Sequence, residues 1–273
     1  RLAAFGGGGG RAPLTPWPSR LPPAVASRFA VEGPLGQGAF AVVRRVRDEQ
    51  SGQSFALKAV DKRELSARSM LAQLYREVDV QRAAAVACLQ CLAVEEVFED
   101  ASHLFLLLEL CPGGSLHAAA QSEGRPPGER KVAAWMRQAA LALRYLHGRG
   151  VVHRDVKSEN LLLAADGGVR LADFGWCAYE SEEPKDMCGT PEYAAPEVHR
   201  GEAQTCKVDC WAFGVCTALL LRGGLPPAGL PGEPRPPPEA TPPLQRLLAG
   251  LWLPQPGARL GMAEAIAHAW LAL

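Results

Sequence analysis

A cluster of polar side chains interrupts the hydrophobic segment VVHRDVKSENLLL, residues 151–163. Within it, Asp155 could accept a proton and Lys157 could hold the charge of a phosphate group. A second carboxylate, Asp173, follows the next apolar run in VRLADFGW. Asn160 and Asp173 carry the oxygen atoms that hard cations such as Mg²⁺ prefer. These residue types therefore predict proton transfer and phosphate binding beside a divalent cation.

A glycine-containing turn and two further charged residues precede this cluster. Gly36 and Gly38 in LGQGAFAVV lie between two strand-like runs, where missing side chains let backbone N–H groups approach a phosphate. Lys58 lies inside the apolar strand SFALKAV, and Glu77 borders the apolar face of the following helix. Because a buried ammonium group needs a partner, we predict an ion pair between Lys58 and Glu77. The alternative is a pair of solvated surface charges.

The composition is that of an ordinary globular protein, with 48% hydrophobic and 21% charged residues in 273. The formal net charge is zero, so the attraction of a basic protein to nucleic acid or an anionic membrane is missing, and neither partner is expected. No run approaches the roughly 18 apolar residues of a membrane span. The eight cysteines are scattered and are expected to be reduced thiols of an intracellular protein. Cys88 and Cys91 have metal-like spacing, but no second close Cys/His pair completes four ligands, so no zinc site is expected.

The organisation changes along the chain. Residues 1–28 contain GGGGG and five prolines, and we expect them to be disordered. Strand-like runs begin at Phe29 and include SFALKAV and HLFLLLEL, with a helix around residues 70–82 between these two. After Cys111 helices dominate, the clearest being ERKVAAWMRQAALALRYLH, and a proline-rich loop is expected at 222–244. Strands followed by helices predict an α+β protein with two lobes.

The order of these motifs resembles that of a known family. A glycine-containing turn, a strand lysine, a helix glutamate, HRDVKSEN, DFG and APE follow one another as in the eukaryotic protein kinase domain. The resemblance extends from Phe29 to Leu273. REVDVQ, KSENLLL, ADFGWC and KVDCWAFGV are most similar to the Aurora kinases and to neighbouring calcium/calmodulin-dependent and polo-like kinases. It implies a bilobal fold, with a small antiparallel β-sheet lobe containing one helix at 29–108 and the hinge and larger, mainly helical lobe at 109–273.

The resemblance also implies a role for each matching residue. The expected catalytic residues are Asp155, Lys157, Lys58 and Glu77. The expected ATP-binding residues are Leu35, Gly36, Gln37, Gly38, Ala39, Phe40, Ala41, Val42, Val43, Ala56, Lys58, Glu109, Cys111 and Leu162. The expected Mg²⁺ ligands are Asn160 and Asp173, and the expected activation-segment residues are Arg154, Asp186 and Thr190. Glu197 and Arg259 would form a structural ion pair beneath that segment.

These roles imply a protein serine/threonine kinase that transfers the γ-phosphoryl group of ATP to Ser and Thr hydroxyls of protein substrates. Lys157 and Thr190 are typical of the Ser/Thr-specific pattern. A first alternative is a pseudokinase acting as an ATP-binding scaffold; the complete motif set argues against it, although Ala41 stands where a third loop glycine often lies. A second alternative is a small-molecule kinase of the same fold, against which the peptide-platform segment GTPEYAAPE argues. We expect the domain to be a monomer in the cytoplasm or nucleus.

The segment SEEPKDMCGTPEY lies between DFG and APE. Related kinases carry a phosphorylatable threonine four residues before Thr190, a position that Asp186 occupies here. Arg154 is the family's usual partner for that phosphate. The hypothesis is that Asp186 supplies a permanent charge, weaker than that of a phosphoryl group. Ser181 is a candidate phosphorylation site, and the other acidic residues of the segment are expected to be solvated.

Overall fold

The structure is a computed structural model that describes residues 15–38, 40–122, 124–223 and 234–272. The chain divides into two compact units, Arg1–Arg82 with Leu92–Leu110 and Ala83–Cys91 with Cys111–Leu273. This division falls two residues after the predicted lobe boundary at 108 and assigns residues 83–91 to the second unit, which the sequence did not indicate.

The first unit is built on a five-stranded antiparallel sheet. Its strands are β1 (Phe29–Gln37), β2 (Ala41–Asp48), β3 (Ser54–Asp61), β4 (Val94–Glu99) and β5 (His103–Glu109), in the spatial order β1-β2-β3-β5-β4. The runs predicted as strands correspond to β1, β2, β3 and β5. The sequence did not indicate β4, because an edge strand is only partly buried and Glu95 and Glu96 interrupt its apolar pattern.

The helices of the first unit are α1 (Pro23–Ala26), α2 (Lys62–Ser66) and α3 (Leu71–Ala87). The helix predicted around residues 70–82 is α3, which continues five residues further. The disorder predicted for residues 1–28 is wrong for the part that the structure describes, because Val25 of α1 is fully buried in a core cluster with Phe29 and Phe55. Residues 1–14 lie outside the described residues.

The second unit is mainly helical. Its helices are α4 (Leu116–Ser122), α5 (Glu129–His147), α6 (Pro196–His199), α7 (Lys207–Leu220), α8 (Pro242–Leu251) and α9 (Met262–Ala267). The periodicity of α5 predicts its buried face correctly, with Met136, Leu143 and Leu146 almost fully buried. Helix α7 is buried on all sides after its first residue, which explains its nearly continuous apolar sequence. Among the described residues, no helix combines the length and hydrophobicity needed to cross a membrane.

Two small antiparallel sheets complete the second unit. One pairs β6 (Val151–Val152) with β9 (Ala178–Tyr179), and the other pairs β7 (Leu161–Leu163) with β8 (Val169–Leu171). The Leu171 amide donates to the carbonyl of Gln90 at 2.7 Å, and Cys91 pairs with Leu171. These contacts explain why residues 83–91 belong to the second unit.

The proline-rich loop predicted at 222–244 is shorter than expected at its C-terminal end. Pro242 and Pro243 begin α8, because proline is well accommodated in the first turn of a helix. Residues 224–233 of this loop lie outside the described residues.

Candidate active site

The ion pair between Lys58 and Glu77 is present in the first unit. Lys58 lies on the central strand β3, opposite Val43 of β2 and Leu106 of β5. Its Nζ donates to Oε1 of Glu77 on α3, and the side chains are only 14% and 5% exposed. This nearly buried ion pair fixes the position of the lysine ammonium group.

The glycine-rich turn lies between β1 and β2. Gly36 is opposite Val43, and the Gly38 amide donates to the Ala41 carbonyl at 2.7 Å. A Cβ atom added at Gly36 would meet no atom within 4 Å, so local packing does not require glycine there. The missing side chain instead leaves the backbone accessible to a ligand, as phosphate binding requires. The Phe40 ring is buried, and its centroid lies 4.7 Å from Cζ of the Arg68 guanidinium.

The remaining predicted nucleotide-binding residues of the first unit lie on four strands of its sheet. They are Leu35 on β1, Val42 and Val43 on β2, Ala56 on β3 and Glu109 on β5. Ala39 lies outside the described residues. In the second unit, Leu162 lies on β7 and the carbonyl of Cys111 accepts the amide of Gly114 at 3.1 Å.

The loop between β6 and β7 in the second unit carries the polar cluster. Buried Asp209 of α7 holds its start, accepting the backbone amides of His153 and Arg154, both at 2.8 Å. Burial acts to raise the pKa of the Asp209 carboxyl, but the hydrogen bonds from the His147 ring and the His153 backbone amide help to lower it overall. Arg154 has a left-handed backbone, with φ of 65°, a strained conformation that these bonds stabilise. The carboxylate of Asp209 therefore shapes the loop.

Asp155 is the centre of a hydrogen-bonded triangle. Its Oδ2 accepts from Lys157 Nζ at 2.6 Å, and its Oδ1 accepts from the Thr190 hydroxyl at 2.8 Å. Lys157 Nζ also donates to Thr190 Oγ1 at 2.9 Å. Asn160 Nδ2 donates to Asp155 Oδ2 and to the Asp155 carbonyl, both at 2.9 Å. The carboxylate is buried and oriented from both sides, which suits a base that accepts a proton.

Asn160 and Asp173 lie at one end of the β7–β8 pair. Leu161 pairs with Leu171, and the Ala172 amide donates to the Asn160 carbonyl at 2.8 Å. Because the Asn160 side-chain amide nitrogen is directed at Asp155, its Oδ1 is the atom that could face a cation. Amide and carboxylate oxygens at the same end of two paired strands are a donor set that fits Mg²⁺.

The His153 ring contacts the backbone of both Asp155 and Ala172, the residue before Asp173. The ring is buried against Phe174, with centroids 5.2 Å apart. Nδ1 accepts the Asp155 amide at 3.3 Å and Nε2 faces the Ala172 carbonyl at 3.3 Å, which requires the proton on Nε2. Burial lowers the pKa of His153, so the ring is neutral and serves as a structural bridge.

The activation segment is held at several points. Arg154 Nη1 lies 3.0 Å from Asp186 Oδ1, and Arg154 Nε donates to the Trp176 carbonyl at 2.7 Å. Buried Gln204 donates through its backbone amide to the Pro184 carbonyl and through Nε2 to the Asp186 carbonyl, both at 2.8 Å. The role of Gln204 was missed in the sequence, where no motif distinguishes this glutamine.

The ion pair expected between Glu197 and Arg259 is also present. The guanidinium binds both carboxylate oxygens, at 2.6 and 3.0 Å, and both side chains are almost fully buried. Its Cζ also lies 5.1 Å from the Trp211 ring centroid. This fixed bidentate pair anchors the APE end of the segment to the rest of the second unit.

The family model described as "Protein kinase domain" matches residues 29–271. The chain belongs to the protein kinase domain family. The kinase fold predicted from the sequence is therefore confirmed, with its five-stranded antiparallel sheet and helical second unit.

Relatives in known proteins agree with the resemblance to Aurora kinases. Aurora kinase B of Xenopus tropicalis is 37% identical over 207 residues, covering 75% of this chain and 56% of that protein. Aurora kinase B of Mus musculus is 33% identical over 262 residues, covering 91% of this chain and 74% of that protein. The putative CBL-interacting protein kinase 27 of Oryza sativa subsp. japonica is 34% identical over 259 residues, covering 89% of this chain and 63% of that protein. The chain thus spans between about half and three quarters of the length of these relatives.

Proposed function

We propose that this kinase domain transfers the γ-phosphoryl group of ATP to Ser and Thr hydroxyl groups of protein substrates. The observation that carries the proposal is the triangle of Asp155, Lys157 and Thr190. The Asp155 carboxylate, which can accept a proton, lies beside the Lys157 ammonium group. Both are hydrogen-bonded to the hydroxyl of Thr190, the second residue of GTPEYAAPE. This arrangement fits phosphoryl transfer to a hydroxyl group, in which positioning and charge neutralisation supply most of the acceleration.

Each charged residue has a proposed part in the reaction. Asp155 orients the attacking hydroxyl and accepts its proton, while Lys157 neutralises charge that develops on the transferred phosphoryl group. Lys58, held by Glu77, binds the phosphates of ATP. Asn160 and Asp173 would hold Mg²⁺, which when bound neutralises charge on the phosphate oxygens.

The remaining ATP-binding assignments are also part of the proposal. The backbone of the glycine-rich turn covers the phosphates. In the first unit, side chains of β1, β2 and β3 would contact the adenine and the Glu109 backbone would bind its edge. In the second unit, Leu162 of β7 and the Cys111 backbone would have the same two roles. The proposed contacts are made by Leu35, Gly36, Gln37, Gly38, Ala39, Phe40, Ala41, Val42, Val43, Ala56, Lys58, Glu109, Cys111 and Leu162.

A protein substrate is proposed in preference to a small molecule because the segment after Thr190 is firmly built. The Tyr193 hydroxyl donates to Glu159 at 3.3 Å, and Glu197 is fixed by its buried arginine partner. A rigid segment of this kind can receive an extended peptide. Nothing in the described site favours a pseudokinase, since Lys58 and Asp155 both have hydrogen-bond partners of the required type.

We also propose that Asp186 acts in place of an activating phosphate. Its carboxylate contacts the Arg154 guanidinium, whose side chain is 5% exposed, and Arg154 directly precedes Asp155. The ion pair would favour the ordered activation segment without prior phosphorylation. Because the Asp186 side chain is 62% exposed, water screens this pair and its contribution is modest.

The test is a phosphotransfer assay with Mg-ATP and myelin basic protein, followed by phosphoamino-acid analysis. We expect phosphoserine and phosphothreonine from the wild-type protein and from Asp166→Asn, an exposed control aspartate in the same unit. Asp155→Asn should lose at least a hundredfold in turnover while binding ATP normally. ATP binding without any phosphoprotein in the wild type would support the pseudokinase reading, and labelling of small molecules alone would support the second alternative.

A further inference from the structure

Residues 15–26, here called the N-terminal strap, are part of the packed core of the first unit. Val25 is fully buried beside Phe29, and Trp17 and Leu21 pack against the same cluster. Trp17, Leu21 and Val25 thus contact the core at successive points along the strap. Burial of apolar surface therefore stabilises the packed position of the strap.

Ion pairs fix the C-terminal end of the strap. Arg28, two residues beyond it, places Nε 2.7 Å from Asp48 of β2 and Nη1 2.7 Å from Glu96 of β4. The Arg28 carbonyl also accepts the Glu49 amide at 3.0 Å. These contacts attach the strap to two strands of the sheet.

The N-terminal end of the strap is bonded to the glycine-rich turn. Gln37 Nε2 donates to the Thr15 carbonyl at 2.7 Å, and Thr15 is only 6% exposed. The Arg44 guanidinium lies 5.0 Å from the Trp17 ring centroid, and Arg44 is paired with Pro34 of β1. The strap therefore contacts both strands that carry the turn.

This bond matters because of where Gln37 lies. It is the single residue between Gly36 and Gly38, and glycine loses more conformational freedom on ordering than any other residue. A bond to its side chain restrains the turn while leaving the glycine backbone open to a phosphate. If the turn is already ordered in the free protein, less conformational entropy is lost when ATP binds.

We propose that the N-terminal strap positions the glycine-rich turn for ATP through the hydrogen bond from Gln37 to Thr15, with Trp17 and Gln37 as positioning residues. The inference rests on the proposed ATP-dependent function. Loss of one hydrogen bond of this kind should raise KM for ATP about two- to tenfold. Because the reacting groups are untouched, kcat should change less than twofold.

The test is a double-mutant cycle in the full chain with Trp17→Ala, Gln37→Met and the double variant. If both residues act through one attachment, each single variant raises KM for ATP and the double variant is no worse than the stronger single. The control is Arg20→Ala, an exposed strap residue, which should match the wild type. Additive effects, or a Trp17→Ala variant with unchanged KM, would mean that the Gln37 side chain acts independently of the strap and would overturn the proposal.

Hydrogen–deuterium exchange without nucleotide gives an independent readout. We expect faster exchange in peptides covering residues 35–43 in both single variants, and wild-type exchange in Arg20→Ala. If Trp17→Ala does not fold, Trp17→Leu keeps apolar packing and removes the ring over Arg44. Unchanged exchange in folded variants would refute the positioning of the glycine-rich turn by the strap. Absence of ATP binding by the wild type would instead refute the proposed function, and the exchange test would remain valid.

Discussion

Replacing Asp186 with alanine tests whether one carboxylate helps to order the activation segment. The Arg154–Asp186 contact is 3.0 Å, with the arginine side chain 5% exposed and the aspartate 62% exposed. Fully buried, a charged hydrogen bond would contribute about 1.5–3 kcal/mol. Exposed pairs contribute about 0.2–1 kcal/mol, and the exposure of Asp186 makes this lower range appropriate.

Other contacts limit the effect further. The two hydrogen bonds of Gln204 to the segment backbone and that of Arg154 to the Trp176 carbonyl do not depend on the Asp186 side chain. A loss of 0.2–1 kcal/mol corresponds to a factor of about 1.4 to 5 in the equilibrium between ordered and disordered segment. We therefore expect Asp186→Ala to retain activity, with kcat/KM reduced about 1.4- to 5-fold.

The assay is steady-state phosphorylation of myelin basic protein at low and high ionic strength, with protein shown by mass spectrometry to lack phosphate in the segment. Asp186→Asn keeps an acceptor oxygen without the charge, so it should fall between the wild type and the alanine variant. The differences should shrink as salt screens the pair. Equal rates for wild type and Asp186→Ala at low salt would refute a role for the charge, and a loss above about a hundredfold would refute the claim that water weakens it.

Three further predictions concern folding and the segment. Glu197→Gln should lower the free energy of unfolding by about 3–5 kcal/mol in urea titrations, because it leaves the buried Arg259 charge uncompensated; a loss below about 1 kcal/mol would contradict this. Gly189→Ala should reduce kcat/KM far more than Gly201→Ala. Both glycines have positive φ, but only at Gly189 would a Cβ lie 2.3 Å from a backbone oxygen, so equal rates would count against this reasoning. Asp48 has a pKa of about 2, lowered by hydrogen bonds from a backbone amide and a neighbouring arginine, so its folded form favours the ionised carboxylate. Its stabilisation is present above pH 4 and is lost as pH falls toward 2, and the urea midpoints of wild type and Asp48→Asn should converge over that range.

The local sequence was sufficient to predict the parts of the site whose chemistry is unusual. A lysine within an apolar strand needs a buried partner, and Glu77 was the residue placed to supply it. The polar residues of VVHRDVKSENLLL, within an otherwise apolar segment, likewise indicated a functional cluster. The apolar periodicity of ERKVAAWMRQAALALRYLH predicted helix α5, because such a pattern depends only on near neighbours in the chain.

Only the tertiary structure revealed the N-terminal strap, edge strand β4 and the role of Gln204. Prolines around Trp17 and Leu21 remove any helix or strand pattern, so the segment has a disordered composition although its apolar side chains are buried. Gln204 acts through backbone carbonyls of residues about twenty positions earlier, and such carbonyls carry no sequence signal. The sequence by itself determined the family and identified the candidate reactive side chains, since both follow from residue type and order. The contacts that hold them depend on packing between distant parts of the chain, which only the folded structure decides.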